Sequence, residues 1–140
     1  MAEHIKTEEC LEYYFEERCF IRELLNTADS PNLSIAQARV EPGVTTVLHS
    51  LKGMELYYIL SGEGLAEVAA QQCPVGAGDL IRIEAGERQR ITNTGLQDLL
   101  FLAICTPRFI PENYSDLEAK DQSSNWHSVK RKPLKSKPVN

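Results

Sequence analysis

Residues 49–64, HSLKGMELYYILSGEG, join two ionisable side chains to a run of strongly β-forming residues. His49 comes first and Glu55 follows six positions later. Between them, Lys52 and Gly53 form a two-residue turn signal. If the chain reverses at this turn, His49 and Glu55 face one another across a hairpin. The stretch therefore predicts a polar site carried by β-structure.

Short β-branched or aromatic runs, separated by turn residues, continue on both sides of this stretch. Eight glycines, most of them between the runs, support this division. The segments are LSIAQARV, VTTVLHSL, MELYYILS, LAEVAA, QQCPVGAG, DLIRIEA, RQRITN and LLFLAICT. Strands about ten residues apart predict an antiparallel sandwich or barrel and not βαβ units. The fold class is therefore all-β.

Side chains two positions apart share one face of a strand. Glu55, Tyr57 and Ile59 therefore point one way, and Gln89, Ile91 and Asn93 do the same on another strand. If both sets point inward, the interior is mostly apolar with a few convergent polar groups. That composition is typical of a small-molecule pocket.

The two ends of the chain differ from its middle. Residues 1–32 are expected to pack on the barrel or on a partner, and 5–17 could form either a helical turn or a strand. Residues 33–115 are the expected barrel. Residues 116–140 are expected to hold a short helix and a basic, disordered tail or docking arm. For that helix, Ser115 as N-cap and Glu118 at the third position fit a capping box.

Composition excludes several classes of protein. The net charge is −5, and about −10 before residue 130, because five of the 15 basic residues lie in the last eleven positions. An acidic body repels phosphate backbones, so nucleic acid is not expected as a partner. No segment has the roughly 20 apolar residues of a membrane span, and the N-terminus lacks the features of a signal peptide. The four scattered cysteines are expected to be reduced thiols, which indicates a cytoplasmic location.

The spacing of certain glycines, acids and amides resembles the cupin superfamily of small β-barrels. That family's first motif is G-x5-H-x-H-x3,4-E-x6-G, matched here by Gly43, His49, Glu55 and Gly62, with Leu51 in place of the second histidine. Its second motif is G-x5-P-x-G-x2-H-x3-N, matched by Gly78, Gly86 and Asn93, with Glu84 and Gln89 replacing the proline and the histidine. The resemblance covers roughly residues 20–115. It implies a jelly-roll antiparallel β-barrel with a pocket at its mouth.

The resemblance also implies a metal site, since the family normally uses three histidines and a glutamate. Here His49, Glu55 and Gln89 are the candidate ligands for one divalent ion, which would be Zn, Ni, Mn or Fe. A metal-free pocket is the alternative, in which His49 hydrogen-bonds to a ligand or to Glu55. Glu55 would then have a raised pKa or pair with Arg82, Arg88 or Arg90.

The remaining motif positions have structural alternatives as well. Gln89 could be satisfied by the backbone, and Asn93 precedes Thr94 and Gly95, where asparagine commonly supports a turn. Tyr57 and Asn93 are the further pocket candidates. His49 and Glu55 are the candidate catalytic pair, because a histidine and a carboxyl can move a proton on a small oxygenated substrate.

Three functions follow from these residues. The favoured one is a small-molecule-binding cupin with a reduced metal site that takes up a small polar metabolite. The second is a metal-dependent enzyme of isomerase, lyase or dioxygenase type acting on a sugar or another small oxygenated substrate. The third is a structural dimer with a vestigial pocket. The resemblance implies a homodimer, because small barrels of this family usually pair through an outer sheet face. The apolar segment before Leu33 should cover the barrel or cross to the partner.

Overall fold

The computed structural model describes residues 2–118 of the chain. Within this range the regular secondary structure is almost entirely strand, with single 3₁₀ turns at Thr7–Glu9 and Pro111–Asn113 and helical backbone at residues 117 and 118. No helix among these residues is long and apolar enough to cross a membrane. The all-β prediction is confirmed, whereas the basic tail lies outside the described residues.

In the described part of the chain, eleven strands form two antiparallel sheets. The larger sheet has the order β1-β2-β3-β10-β5-β8 and the smaller one β11-β4-β9-β6-β7. The strands are β1 Glu12–Phe15, β2 Cys19–Leu25, β3 Ser34–Val40, β4 His49–Leu51, β5 Met54–Ser61, β6 Glu63–Val68, β7 Gln71–Gly76, β8 Leu80–Ile83, β9 Gln89–Asn93, β10 Leu99–Thr106 and β11 Tyr114–Asp116.

The two sheets are not joined by a strand ladder within residues 2–118, so the expected closed barrel is not formed. They bury their apolar faces against each other, as in a sandwich. β1 and β8 form the edges of the larger sheet, and β11 and β7 those of the smaller one. The chain passes between the sheets in short connections instead of continuing one ladder around a barrel.

The prediction of a hairpin at Lys52 and Gly53 is wrong. These two residues form one of the short connections between the sheets instead. β4 pairs with β9 and β11, whereas the next strand, β5, pairs with β10 and β8. The turn is held against Thr106 and Pro107, since a Cβ on Gly53 would lie 2.6 Å from Thr106 O and from Pro107 Cδ. His49 and Glu55 therefore approach each other from opposite sheets.

The inner faces follow the expected alternation. Glu55, Tyr57 and Ile59 of β5 are buried, and so are Gln89, Ile91 and Asn93 of β9. Ile59, Ile91, Leu99 and Val40 are fully buried and form the tightly packed end of the sandwich. The polar members of the two strands therefore lie inside the molecule and not on its surface.

Both terminal segments join the sheets. β1 and β2 form a hairpin that continues the larger sheet beyond β3. Both alternatives for the N-terminal segment are therefore observed, a helical turn at Thr7–Glu9 followed by a strand at Glu12–Phe15. At the other end, Ser115 lies in β11 opposite Ser50 of β4, and does not cap a helix. The remainder of the helix predicted there lies outside the described residues. The division of the chain into residues 1–32, 33–115 and 116–140 stays a prediction.

Candidate functional site

A cavity of about 70 Å³ lies between the two sheets, at the end opposite the tightly packed core. We call it the central cavity. Its apolar wall includes Phe15, Ile21, Leu51 and Phe101. Its polar lining consists of Tyr13, Glu17, Glu23, Asn26, Ser34, His49, Glu55, Tyr57 and Cys105. The arrangement has the composition of a small-molecule site, a mostly apolar cavity with a few polar groups.

His49 is buried in the wall of this cavity and is 1% exposed. Its Nδ1 lies 2.7 Å from the carbonyl oxygen of Val47, and its Nε2 lies 3.0 Å from Oε2 of Glu17. A carbonyl oxygen can only accept, so Nδ1 carries a hydrogen. One further proton then lies between Nε2 and Glu17, on one partner or the other. The Glu17–His49 pair is therefore neutral as a unit.

Glu17 reaches His49 from the turn between β1 and β2. Its side chain is 14% exposed, and its backbone carbonyl accepts a hydrogen bond from the Val47 N–H at 3.1 Å. Burial raises the pKa of Glu17, although the adjacent His49 opposes this shift. The ring of Tyr114 stacks on His49 from the other side, with ring centroids 5.0 Å apart. The orientation of the His49 ring is thus fixed by the Val47 carbonyl oxygen, the Glu17 carboxyl group and the Tyr114 ring.

Sequence reasoning missed Glu17, because it lies in the charged run FEERC, which resembles an exposed turn. A signal was present nonetheless. Alternate residues Tyr13, Phe15, Cys19 and Ile21 are apolar or aromatic, and Glu17 interrupts this inward-facing series. A single acid on the buried face of a strand pair is a candidate functional residue.

Glu55 enters the cavity from the larger sheet and is 6% exposed. Its Oε2 accepts a weak hydrogen bond from the Cys105 thiol at 3.6 Å, whereas Oε1 has no hydrogen-bond partner among the described residues. Burial raises the pKa of Glu55 to about 7; His49 opposes the shift and the neighbouring Glu17 adds to it. The carboxyl group therefore changes charge near neutral pH.

The arginines proposed as partners of Glu55 point elsewhere. Arg82 pairs with Glu84 at 2.7 Å and Arg90 pairs with Glu67 at 3.1 Å. Arg88 is exposed, and within residues 2–118 no ion pair links it to Glu55. The reason is strand alternation: position 55 faces inward, while positions 82, 88 and 90 face outward. Of the two alternatives for Glu55, the burial of its carboxyl group without an arginine partner supports the raised pKa.

Gln89 and Tyr57 form a buried hydrogen-bonded pair beside this site. The Tyr57 hydroxyl donates to Oε1 of Gln89 at 2.7 Å. Gln89 lies opposite His49 in the β4–β9 pairing and is not part of the cavity lining. Its amide oxygen is satisfied by a side chain and not by the backbone. Its amide group also acts on Glu55, where it opposes the rise in the pKa of that carboxyl.

Asn93, expected as a pocket residue, does not line the central cavity. Its Nδ2 donates to the carbonyl oxygens of Val40 and Gln97, both at 2.8 Å, and its Oδ1 accepts from the Gly95 N–H at 2.8 Å. All of its amide groups therefore hold the turn after β9. The turn-supporting alternative for this residue is the one observed.

The residues proposed to bind a metal do not form a suitable set of ligands. Within residues 2–118, no three histidine, cysteine, aspartate or glutamate side chains are placed to hold one ion. The Nε2 of His49 contacts Glu17, the amide oxygen of Gln89 accepts from Tyr57, and Leu51 contributes a hydrocarbon wall. A transition-metal site needs three or four free donors around one point. The side chains present therefore do not fit a resident metal.

Comparison with known proteins agrees with this fold. Residues 36–105 match a family model described as a cupin domain. A curated oxalate-binding protein from Thermotoga maritima is 41% identical over 70 residues, which is 49% of this chain and 58% of that relative. An uncharacterized protein from Methanocaldococcus jannaschii is 34% identical over 109 residues, covering 76% of this chain and 87% of that protein.

Among solved structures, a protein from Thermotoga maritima described as a predicted oxalate decarboxylase superposes with a TM-score of 0.69. It is 29% identical, and the match covers 75% of this chain and 99% of that one. The curated oxalate-binding relative, by contrast, is matched over little more than half of its length.

Proposed function

This chain belongs to the cupin family, and we propose that its central cavity binds a small polar molecule through Glu55 and the Glu17–His49 pair. The observation that carries the proposal is the buried, unpartnered Oε1 of Glu55 on the cavity wall. A buried acceptor without a partner costs roughly 1–3 kcal/mol, and more when it is charged. A ligand that donates a hydrogen bond to this oxygen would remove that cost.

The size of the cavity supports a ligand of few atoms. A water molecule needs roughly 10–15 Å³ on the same scale, so about 70 Å³ holds about five waters or a ligand of similar size. The relative from Thermotoga maritima that is described as oxalate-binding supports a compact, oxygen-rich ligand class. Gln89 contributes indirectly in this proposal, because it fixes the hydroxyl of Tyr57.

A titration with small compounds tests this proposal. Diols, hydroxy acids, dicarboxylates and amides would be added to isotopically labelled protein while backbone amide signals are followed by NMR. We expect at least one compound to shift the signals of Glu55, His49 and Glu17 with one site per chain. In Glu55→Gln, binding should weaken at least tenfold, whereas Glu63→Gln, an exposed carboxyl on β6, should leave it unchanged. The proposal fails if no compound shifts these signals, or if both variants bind like the parent.

Proton-transfer catalysis is a second candidate function, favoured by one observation. Glu55 has a pKa of about 7, and the Glu17–His49 pair holds a proton in the same cavity. A general base is most effective when its pKa lies near the working pH. Glu55 could remove a proton from a carbon beside a carbonyl group, and the carboxylic acid so formed could return it to a neighbouring carbon.

Deuterium incorporation into a bound hydroxy-ketone in heavy water would test this second function. Exchange that is catalysed by the parent and abolished by Glu55→Gln would support an isomerase. If compounds of the panel bind but none of them exchanges deuterium, the binding function stands and the isomerase function fails. The metal-dependent alternative requires ligands that this cavity does not present. A vestigial cavity would bind none of the compounds.

We also propose that the protein forms a homodimer through the outer face of its larger sheet. Tyr58, Leu60 and Leu80 are exposed on the outer face of the larger sheet, at 40%, 39% and 57% of their surface. We expect this face to form a homodimer contact, and sedimentation of Leu80→Lys beside the parent would test it.

A cytoplasmic location is supported by the four cysteines, all of which are free thiols.

A further inference from the structure

The central cavity is acidic. Glu17, Glu23 and Glu55 line it, and within residues 2–118 no lysine or arginine does. Glu23 lies at the exposed rim, where its carboxylate accepts a hydrogen bond from the Tyr13 hydroxyl at 2.8 Å. Because the Glu17–His49 pair is neutral as a unit, Glu23 and Glu55 determine the charge that a ligand meets. That charge is negative.

Nearby cations are engaged outside the cavity lining. The Nε of Arg108 donates to Oδ1 of Asn26 at 2.8 Å, and Asn26 in turn donates to the carbonyl oxygen of Phe109. Arg22 donates to backbone carbonyl oxygens, including that of Cys10 at 2.8 Å. Neither guanidinium lines the central cavity. An anionic ligand would therefore lose its water without gaining a cationic partner.

We infer that the central cavity selects an uncharged molecule carrying hydrogen-bond donors and disfavours dicarboxylates such as oxalate. This inference rests on the proposed binding function and names the chemical class of its ligand. The unpartnered Oε1 of Glu55 can only be satisfied by a donor when it is ionised, and oxalate near neutral pH has none. Repulsion between carboxylates is also stronger in a buried site than in water.

Three compounds of similar shape and different charge test the inference. Oxamide, oxamate and oxalate share one planar skeleton and carry zero, one and two negative charges. Each would be titrated into the full chain near neutral pH, at fixed ionic strength and with a chelator present to remove metal ions. We expect oxamide to bind best, and each added charge to weaken binding about tenfold.

Two variants locate the source of the selection. Glu55→Gln preserves the volume of the side chain and removes its charge, so the preference for oxamide over oxalate should shrink at least fivefold. Glu63→Gln removes an exposed carboxyl and should retain the parental preference. Thermal melting of each variant beforehand establishes that it is folded.

The outcomes separate this inference from the proposed function. Oxalate binding as tightly as oxamide to the metal-free parent would overturn the inference and leave small-molecule binding standing. An unchanged preference in Glu55→Gln would also overturn it, because the charge of Glu55 would then not be the cause. If none of the three compounds binds at millimolar concentration, the inference fails, and the broader compound panel decides the proposed function separately.

Discussion

The two ends of the sandwich use buried polar residues in opposite ways. At the packed end, the amide of Asn93 makes three hydrogen bonds of 2.8 Å to backbone groups. At the cavity end, Glu55 keeps one oxygen without a partner among residues 2–118 and has a pKa raised to about 7. Both residues are almost completely buried. Burial alone thus does not separate a structural polar residue from a functional one, but the count of satisfied hydrogen bonds does.

The difference has a physical cause in what surrounds each residue. Asn93 lies beside Val40 and the turn that follows β9, so its partners belong to the chain itself. Glu55 faces a cavity, and the space in front of it is left for another molecule. A fully satisfied polar group stabilises one structure, whereas a partly satisfied one lowers stability until its partner arrives.

The largest effect is expected at the packed end. Asn93→Ala removes three buried hydrogen bonds to backbone groups, so we expect a loss of roughly 3–4 kcal/mol in the free energy of unfolding. Urea denaturation measures this loss. Gln97→Ala is the matched control, because its exposed side chain is removed while its backbone carbonyl remains. A loss below about 1 kcal/mol for Asn93→Ala would remove the contrast between the two ends.

At the cavity end, replacing the buried polar residue should raise the stability of the protein and not lower it. The pKa of Glu55 rises from 4.5 to about 7 on folding, so the folded state binds the proton more tightly and the parent loses stability as the pH rises through this range. The shift corresponds to about 3 kcal/mol at most, as an order of magnitude. Glu55→Gln should therefore be more stable than the parent at pH ~8 and close to it at pH ~4.

Urea denaturation of both proteins across this pH range measures the difference. Glu17 also has a raised pKa and is present in both proteins, so the difference measures Glu55 together with its repulsion by Glu17. Parallel stability curves for parent and Glu55→Gln would contradict the prediction. The stability of Glu63→Gln should change with pH in the same way as that of the parent.

A smaller effect is expected between the two ends, at the Tyr57–Gln89 pair. Tyr57→Phe removes the 2.7 Å hydrogen bond and leaves the buried Gln89 oxygen unpaired, which should cost roughly 1–2 kcal/mol. Tyr58→Phe, on the opposite face of the same strand, is its control. In the Leu80→Lys background, which disrupts the expected dimer contact, it should change stability by less than ~0.5 kcal/mol. Equal effects in both variants would show that the buried pair has no special contribution.

The smallest effect is expected from metal ions. Adding Zn²⁺ or Ni²⁺ to the parent should leave its melting temperature unchanged, because the donors of His49 and Gln89 are engaged. The double substitution Leu51→His and Gln89→His is the positive control, since it supplies two further imidazoles. Binding at a hundredfold excess over Kd would stabilise it by roughly 3 kcal/mol. A large shift in the parent would mean that the cavity does hold a metal.

Much of the fold could be predicted from alternation. The segments MELYYILS and LLFLAICT coincide with β5 and β10, because each is a run of β-branched, aromatic and other apolar residues that turn residues delimit. Pairing could not be predicted in the same way. The signal at Lys52 and Gly53 indicates a turn, but it does not specify which strands meet on either side.

The candidate site was predictable only in part, for a related reason. His49 and Glu55 were found from motif spacing, and both line the central cavity. Asn93 fits the same motif equally well, and the turn residues after it predicted its structural alternative, since Gly95 and Gln97 are two of its three hydrogen-bond partners. Only its contact with Val40 is distant in sequence. Glu17 approaches His49 through a contact between residues 32 positions apart, and no local rule anticipates such a contact.

The hairpin that carries Glu17 lies outside residues 36–105, the part of the chain that matches the family model. The acid partner of His49 is therefore supplied by a segment that the family model does not describe. In evolutionary terms, one exchange in this hairpin would change the proton held by His49 and the charge of the cavity, without altering any residue by which the family is recognised. Two proteins with matching cupin domains could thus differ in ligand because of their N-terminal segments alone.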